Sequence, residues 1–155
     1  MKKANILVTT MCCMMLVLSV FGISTRVSKA STTDTNWGFS LSVNDSGYQY
    51  MSARAKSNTS KIYIYWITCN YGAVSSITVS PYGTATAHGA LQAAGTANGG
   101  VRAYSMNAYG KYSLRNYVHE LGLGYARPGM RGAGGSGVAS GKWSPDSTKN
   151  YTLLQ

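Results

Sequence analysis

Lys61-Ile62-Tyr63-Ile64-Tyr65-Trp66-Ile67-Thr68-Cys69 alternates two sets of large side chains with a period of two. Ile62, Ile64 and Trp66 fall on one face and Tyr63, Tyr65 and Ile67 on the other, the pattern of a strand and not of a helix. Bulk on both faces leaves two readings: a central strand covered on both sides, or one whose tyrosine face is a binding surface. Asn70-Tyr71-Gly72 ends the run.

Toward the N-terminus, Ser57-Asn58-Thr59-Ser60 reads as a turn and Tyr48 to Arg54 as a second strand. Asn44-Asp45-Ser46-Gly47 supplies residues that tolerate tight-turn dihedrals. Before it, Trp37, Phe39, Leu41 and Val43 alternate with Gly38, Ser40 and Ser42 and so share one strand face.

Toward the C-terminus, Ala73 to Ser80 reads as a strand stopped by Pro81-Tyr82-Gly83. Thr84 to Ala94 is alanine-rich and leaves a short helix or extended chain open. Asn98-Gly99-Gly100 is a turn, and Val101 to Met106 pairs with Lys111 to Val118 through Asn107-Ala108-Tyr109-Gly110. Gly132 to Gly137 is a flexible loop or a site of close strand packing. Val138 to Trp143 is the last strand, and Ser144-Pro145-Asp146-Ser147 closes the domain. Seven to nine short strands predict an all-β fold: a single antiparallel β-sandwich, jelly-roll-like, or a small barrel. Residues 31–155 form one domain with no linker dividing them.

What precedes that domain has the zones of a secretory signal. Met1-Lys2-Lys3 is the positive end, an apolar stretch runs from Ile6 to Ile23, and Ser28-Lys29-Ala30 places small residues at the −3 and −1 positions. An uncleaved anchor is the rival, since about 20 apolar residues span a bilayer. The small-residue exit and the polar sequence behind it favour cleavage after Ala30. Cys12 and Cys13 lie inside the apolar run without a lipobox and leave with it.

Removing residues 1–30 takes away Lys2, Lys3, Arg26 and Lys29. Ten basic residues then face Asp34, Asp45, Glu120 and Asp146, a net charge of +6. That balance favours anionic partners in general (teichoic acids, acidic lipids, polyanionic glycans or nucleic acid), the alternative being that it only keeps the protein soluble. Of these, cell-wall polymer, glycan or a membrane surface is the expected partner and nucleic acid is not. Cys69 alone remains in this part, so no internal disulfide is available, and it is expected to be a small buried hydrophobe.

Catalytic patterns fail on inspection. His119-Glu120-Leu121-Gly122-Leu123 has leucine where a His-Glu-x-x-His zinc motif needs its second histidine. Gly134-Gly135-Ser136-Gly137-Val138 lacks the final glycine of a nucleophile elbow, and Gly122-Leu123-Gly124 lacks the third glycine of a dinucleotide fingerprint. Four acidic residues give a glycosidase pair little to draw on. Accordingly no catalytic residue, cofactor or metal ligand is assigned, with a motif-free secreted hydrolase as the third-ranked alternative.

Aromatic and basic side chains are what the sequence has in excess: twelve tyrosines and three tryptophans, all after residue 30. Rings stack on sugar faces and guanidinium groups grip phosphate. Tyr104 near Arg102, Tyr112 and Tyr117 around Arg115, Tyr125 near Arg127, and Arg131 are therefore the candidate ligand-binding residues.

Tyr112-Ser113-Leu114-Arg115-Asn116, the basic glycine-rich stretch ending at Arg131, and Gly141-Lys142-Trp143-Ser144-Pro145-Asp146-Ser147 resemble an uncharacterised family of small secreted proteins from Gram-positive bacteria. Asn36-Trp37-Gly38-Phe39 and Arg54-Ala55-Lys56-Ser57-Asn58-Thr59-Ser60 are similar too. The resemblance implies export and a compact β domain and carries over no catalytic residue. A looser likeness to lactococcin-type bacteriocins rests on the signal, an early tryptophan and aromatic strands. The expected function is thus a secreted, non-catalytic domain that binds anionic cell-wall polymer or glycan, with a bacteriocin-like action on competing cells as the alternative.

Overall fold

The computed structural model of the protein describes residues 31–44 and 46–154. The expected signal segment, with Ser28 and Ala30 at its end, lies outside the described residues, as does Asp45 of the first turn. Strands and no helix make up the regular structure of the described chain. They are β1 (Thr35–Leu41), β2 (Gln49–Tyr50), β3 (Arg54–Ala55), β4 (Ile62–Asn70), β5 (Ser76–Ser80), β6 (Tyr82–Thr84) and β7 (Gln92–Ala93). Then follow β8 (Tyr104–Met106), β9 (Gly110–Leu114), β10 (Tyr125–Ala126), β11 (Gly129–Gly134), β12 (Gly137–Ser144) and β13 (Thr152–Leu154).

β4, the strand with the strongest alternation, sits at the centre of a five-stranded sheet ordered β1-β12-β4-β9-β13. Ile62, Ile64 and Trp66 are at most 1% exposed and form the middle of the core. The opposite face is covered only in part. Tyr63 is buried against the ring of Tyr151, 5.0 Å away, whereas Ile67 is 41% exposed. A bulge explains the change: Gly141 pairs with Trp66 and Ser140 with Thr68, so Ile67 has no partner in the register. Past this point β4 is only partly covered, and Cys69 packs half-buried against the margin of the core, not fully buried as the apolar run predicts.

The other two sheets have four strands each, ordered β2-β11-β5-β8 and β3-β10-β6-β7. Their orders correspond position by position, because β2 leads into β3, β5 into β6, β7 toward β8, and β10 into β11. They are two halves of one sheet bent along a line through Met51, Pro81 and Pro128. Backbone bonds carry the ladder across the bend: Met51 N–H to Pro128 O at 2.9 Å, Arg127 N–H to Tyr82 O at 2.8 Å, and Ala94 N–H to Pro81 O at 3.0 Å. Proline can accept in a ladder but cannot donate, which is why the break falls at Pro81 and Pro128. Counted as bent strands, the molecule is five strands against four. Ile77, Val79, Met106 and Met130 of the bent sheet join Trp37, Leu41, Leu114 and Trp143 of the flat one in a single cluster. This is the expected sandwich; none of the sheets closes into a barrel.

Several boundaries differ from the sequence reading. Pro81-Tyr82-Gly83 is a crossing between half-sheets and not a stop, and the strand read as Tyr48 to Arg54 is bent at Met51. Val43 has left β1 and is 51% exposed in the turn. Val101–Met106 and Lys111–Val118 are not partners: β8 pairs with β5, and β9 with β4, so the link between them crosses from one layer to the other. Thr84 to Ala94 is extended or turn, with no helix. Gly132 and Gly134 lie in β11, where a Cβ on Gly132 would come within 2.8 Å of Ser42 O; close packing, not flexibility, accounts for them. Finally, Ser144–Ser147 does not close the fold, since β13 adds a parallel strand beside β9.

Candidate functional site

The bend brings aromatic and cationic side chains together on the face turned away from the core. Tyr48 and Tyr50 are two residues apart at the edge strand β2 and so project to the same side. Tyr82 stands just beyond Pro81, and its ring meets that of Tyr50 edge-on at 5.2 Å and that of Tyr48 at 5.8 Å. Tyr48 and Tyr50 lie 6.3 Å apart. Two guanidinium groups flank the three rings. Arg131 of β11 lies 5.3 Å from the centre of the Tyr48 ring, and Arg127 lies 5.9 Å from that of Tyr50.

Local chemistry holds this arrangement. Gly129 faces Tyr50 across the β2–β11 pair, and a Cβ there would meet Tyr50 Cε1 at 2.8 Å and Tyr48 Cβ at 3.1 Å. Glycine is thus what lets the rings lie down on the sheet, a cross-strand aromatic covering a bare backbone. Arg127 Nε donates to Met51 O at 3.1 Å, which fixes its side chain across the bend. Gln49 Nε2 donates to Ser40 O and ties β2 to the end of β1. All five side chains are half-buried, so part of each is open to an external partner. Burial pushes the Tyr82 phenol up to about 12, with Tyr50 and Tyr48 adding to the shift and Arg131 opposing it. Tyr82 therefore stays a hydrogen-bond donor at any physiological pH. A surface cleft of about 360 Å³, lined by Asn44, Ser46, Gly47, Tyr48 and Gln49, adjoins the cluster.

The sequence-predicted residues divide into three groups. Arg127 and Arg131 belong to this cluster. Arg102, Arg115 and Tyr117 lie elsewhere, around Tyr104: Arg102 is 5.6 Å from the Tyr104 ring and Arg115 is 5.4 Å from that of Tyr117. Beside them is a cleft of about 410 Å³ that also holds Lys61 and Glu120. Tyr104 and Tyr112 are core residues, 7% and 8% exposed, so neither offers a face to a ligand. Burial raises the Tyr104 pKa against the pull of Arg102 and Arg115, and the Tyr112 hydroxyl donates to Ala108 O at 2.7 Å. Tyr125 is half-buried inside the half-sheet, between Ala55 and Thr84, and its neighbour Arg127 turns to Tyr50 instead. Sequence reasoning missed Tyr48, Tyr50 and Tyr82. The Tyr-x-Tyr spacing of the first two was the signal available.

Among the described residues no group of three His, Cys, Asp or Glu side chains could hold a metal ion. His119 and Glu120 are exposed in a turn. The cluster can therefore stack, donate hydrogen bonds and attract anions. A family model described as a protein of unknown function, DUF2712, matches residues 23–147.

The chain belongs to the DUF2712 family. The matched region contains β1 to β12 and all five cluster residues, and it ends before β13. No curated protein and no solved structure matches the chain.

Proposed function

We propose that this DUF2712 protein is a secreted, non-catalytic module that binds anionic polymer of a Gram-positive cell envelope. The observation that carries the reading is the grouping of Tyr48, Tyr50 and Tyr82 with Arg127 and Arg131 along the sheet bend. Rings offer apolar faces to sugar or polyol units, and guanidinium groups offer paired donors to phosphate or carboxylate. A polymer that repeats both units along its length matches such a strip better than a small ligand would.

Charge supports the same reading. Among the described residues the one close ion pair joins Lys56 to Asp146, so the basic surplus is not neutralised within the fold. The test is co-sedimentation of the protein with isolated cell walls, with walls stripped of teichoic acid, and with anionic vesicles. Binding to intact walls that falls on stripping is the expected result. Binding to vesicles alone would replace this reading with the bacteriocin-like one, and indifference to all three at low salt would end both.

A further inference from the structure

Ser31 sits at the start of the folded domain and is not free. Its backbone N–H donates to Asp146 Oδ2 at 3.2 Å. Arg54 clamps the same segment, with Nη2 donating to Ser31 Oγ and Nη1 to Thr33 O, both at 2.6 Å. Asp146 is 2% exposed, and its other oxygen is already engaged: Oδ1 accepts from Lys56 Nζ at 2.9 Å and from Ser60 Oγ at 3.0 Å. The two oxygens of one buried carboxylate are thus divided between a lysine and the nitrogen of Ser31.

We propose that this is the docking site for the chain's own processed amino terminus, with Asp146 Oδ2 receiving the α-ammonium of Ser31. The proposal rests on cleavage after Ala30, as the Ser28-Lys29-Ala30 exit predicts. In the precursor the Ser31 nitrogen is a neutral amide. Hydrolysis of the Ala30–Ser31 bond by a peptidase turns that same nitrogen into a cation, without moving it. The Asp146 carboxylate then faces an ammonium where it had faced an amide dipole, so charge meets charge at the same hydrogen bond. Processing therefore completes the fold: the released domain is held more firmly than the precursor.

The groups around the new charge are of both signs. Asp146 and Asp34 favour it, while Arg54 and Lys56 oppose it. Lys111, Lys149 and Tyr63 line the same cavity, of about 320 Å³, with Asp34 and Asp146. Of these groups Asp146 is the one bonded to the Ser31 nitrogen itself, while Arg54 holds the hydroxyl of the same residue.

The test starts from the full precursor, secreted by a host and collected from the medium. A second precursor carries two glycines inserted between Ala30 and Ser31, which moves the α-ammonium away and leaves an amide at Ser31. Mass spectrometry reads each amino terminus first. The protein that begins at Ser31 is expected to melt about 3 °C higher at pH 6 than the extended one. An ordinary α-amino group titrates near 7.7–8.0, and pairing with a carboxylate raises it. The gain is then whole below that range and lost as pH rises through the folded value, so the gap closes by pH 10. Asp146→Asn in both precursors should abolish the gap at pH 6. If that variant does not fold, the pH comparison on the unsubstituted protein decides alone. A product beginning elsewhere than Ser31 overturns the cleavage and the docking together. A product beginning at Ser31 with no gap, or with one unchanged between pH 6 and pH 10, overturns the docking and leaves the cleavage intact.

Discussion

Lys56 carries a full positive charge into the interior, and all three of its protons are used there. Nζ donates to Asp146 Oδ1 at 2.9 Å, to Pro145 O at 2.9 Å and to Ser60 O at 2.5 Å. Burial lowers its pKa, and the hydrogen bond and charge of Asp146 act against that. Lys56→Met would take from the buried Asp146 carboxylate its lysine partner, at an expected cost of about 3–5 kcal/mol, readable as an earlier urea midpoint. Tyr63 and Tyr82 give a second prediction. Burial first, then neighbouring phenols (and Asp34 for Tyr63), raise both from 10.0 to about 12. The unfolded chain gives up these protons near pH 10 while the folded one keeps them. Their contribution to stability is whole below pH 10 and lost as pH rises through 12. Alkaline denaturation of the protein should steepen across that window, and the slope should flatten in the Tyr63→Phe/Tyr82→Phe variant. At this scale the sequence was only partly legible. Lys56 and Asp146 are 90 positions apart and both sit in turn sequences, so nothing local announces their pairing. Tyr125 and Arg127 share a spacing of two and read as neighbours, but the bend at Arg127-Pro128 separates them.

Strands were more legible than their partners. Period-two alternation located β1, β4, β5 and β12 within a few residues, because a residue's face depends only on its own neighbours. Partner choice depends on the path of the chain, and there Pro81 misleads: it looks like an end, yet it is a crease in a strand that continues, as Pro128 is in another. β13 was missed for a different reason: its three residues are too few to show a period. It is nonetheless part of the core, with Leu154 only 7% exposed and Leu154 O accepting from Arg115 N–H at 2.9 Å. Leu154→Ala should cost about 2–5 kcal/mol, seen as a lower thermal midpoint. A variant as stable as the parent would show that the strand after the family-matched region is an appendage.

The whole molecule is a five-on-four sandwich whose bent layer displays a narrow strip of rings and guanidinium groups. The composition announced that strip only in sum, as many tyrosines and a net charge of +10 for the full chain. Which residues meet is a product of the bend, and the three tyrosines of the cluster come from β2, the residue just before it, and β6. If the strip binds anionic polymer, its attraction must respond to salt, because the Debye length shrinks from about 10 Å at 0.1 M to about 3 Å at 1 M. The most direct measurement is equilibrium binding to isolated cell walls across that range, for the parent and for Arg127→Ala/Arg131→Ala. The parent should bind at 0.1 M and release steeply toward 1 M. The double variant, folded with an unchanged circular dichroism spectrum, should bind at least about tenfold more weakly at low salt and respond less to added salt. Equal binding by the two proteins, or binding that salt does not alter, would contradict the assignment of this strip.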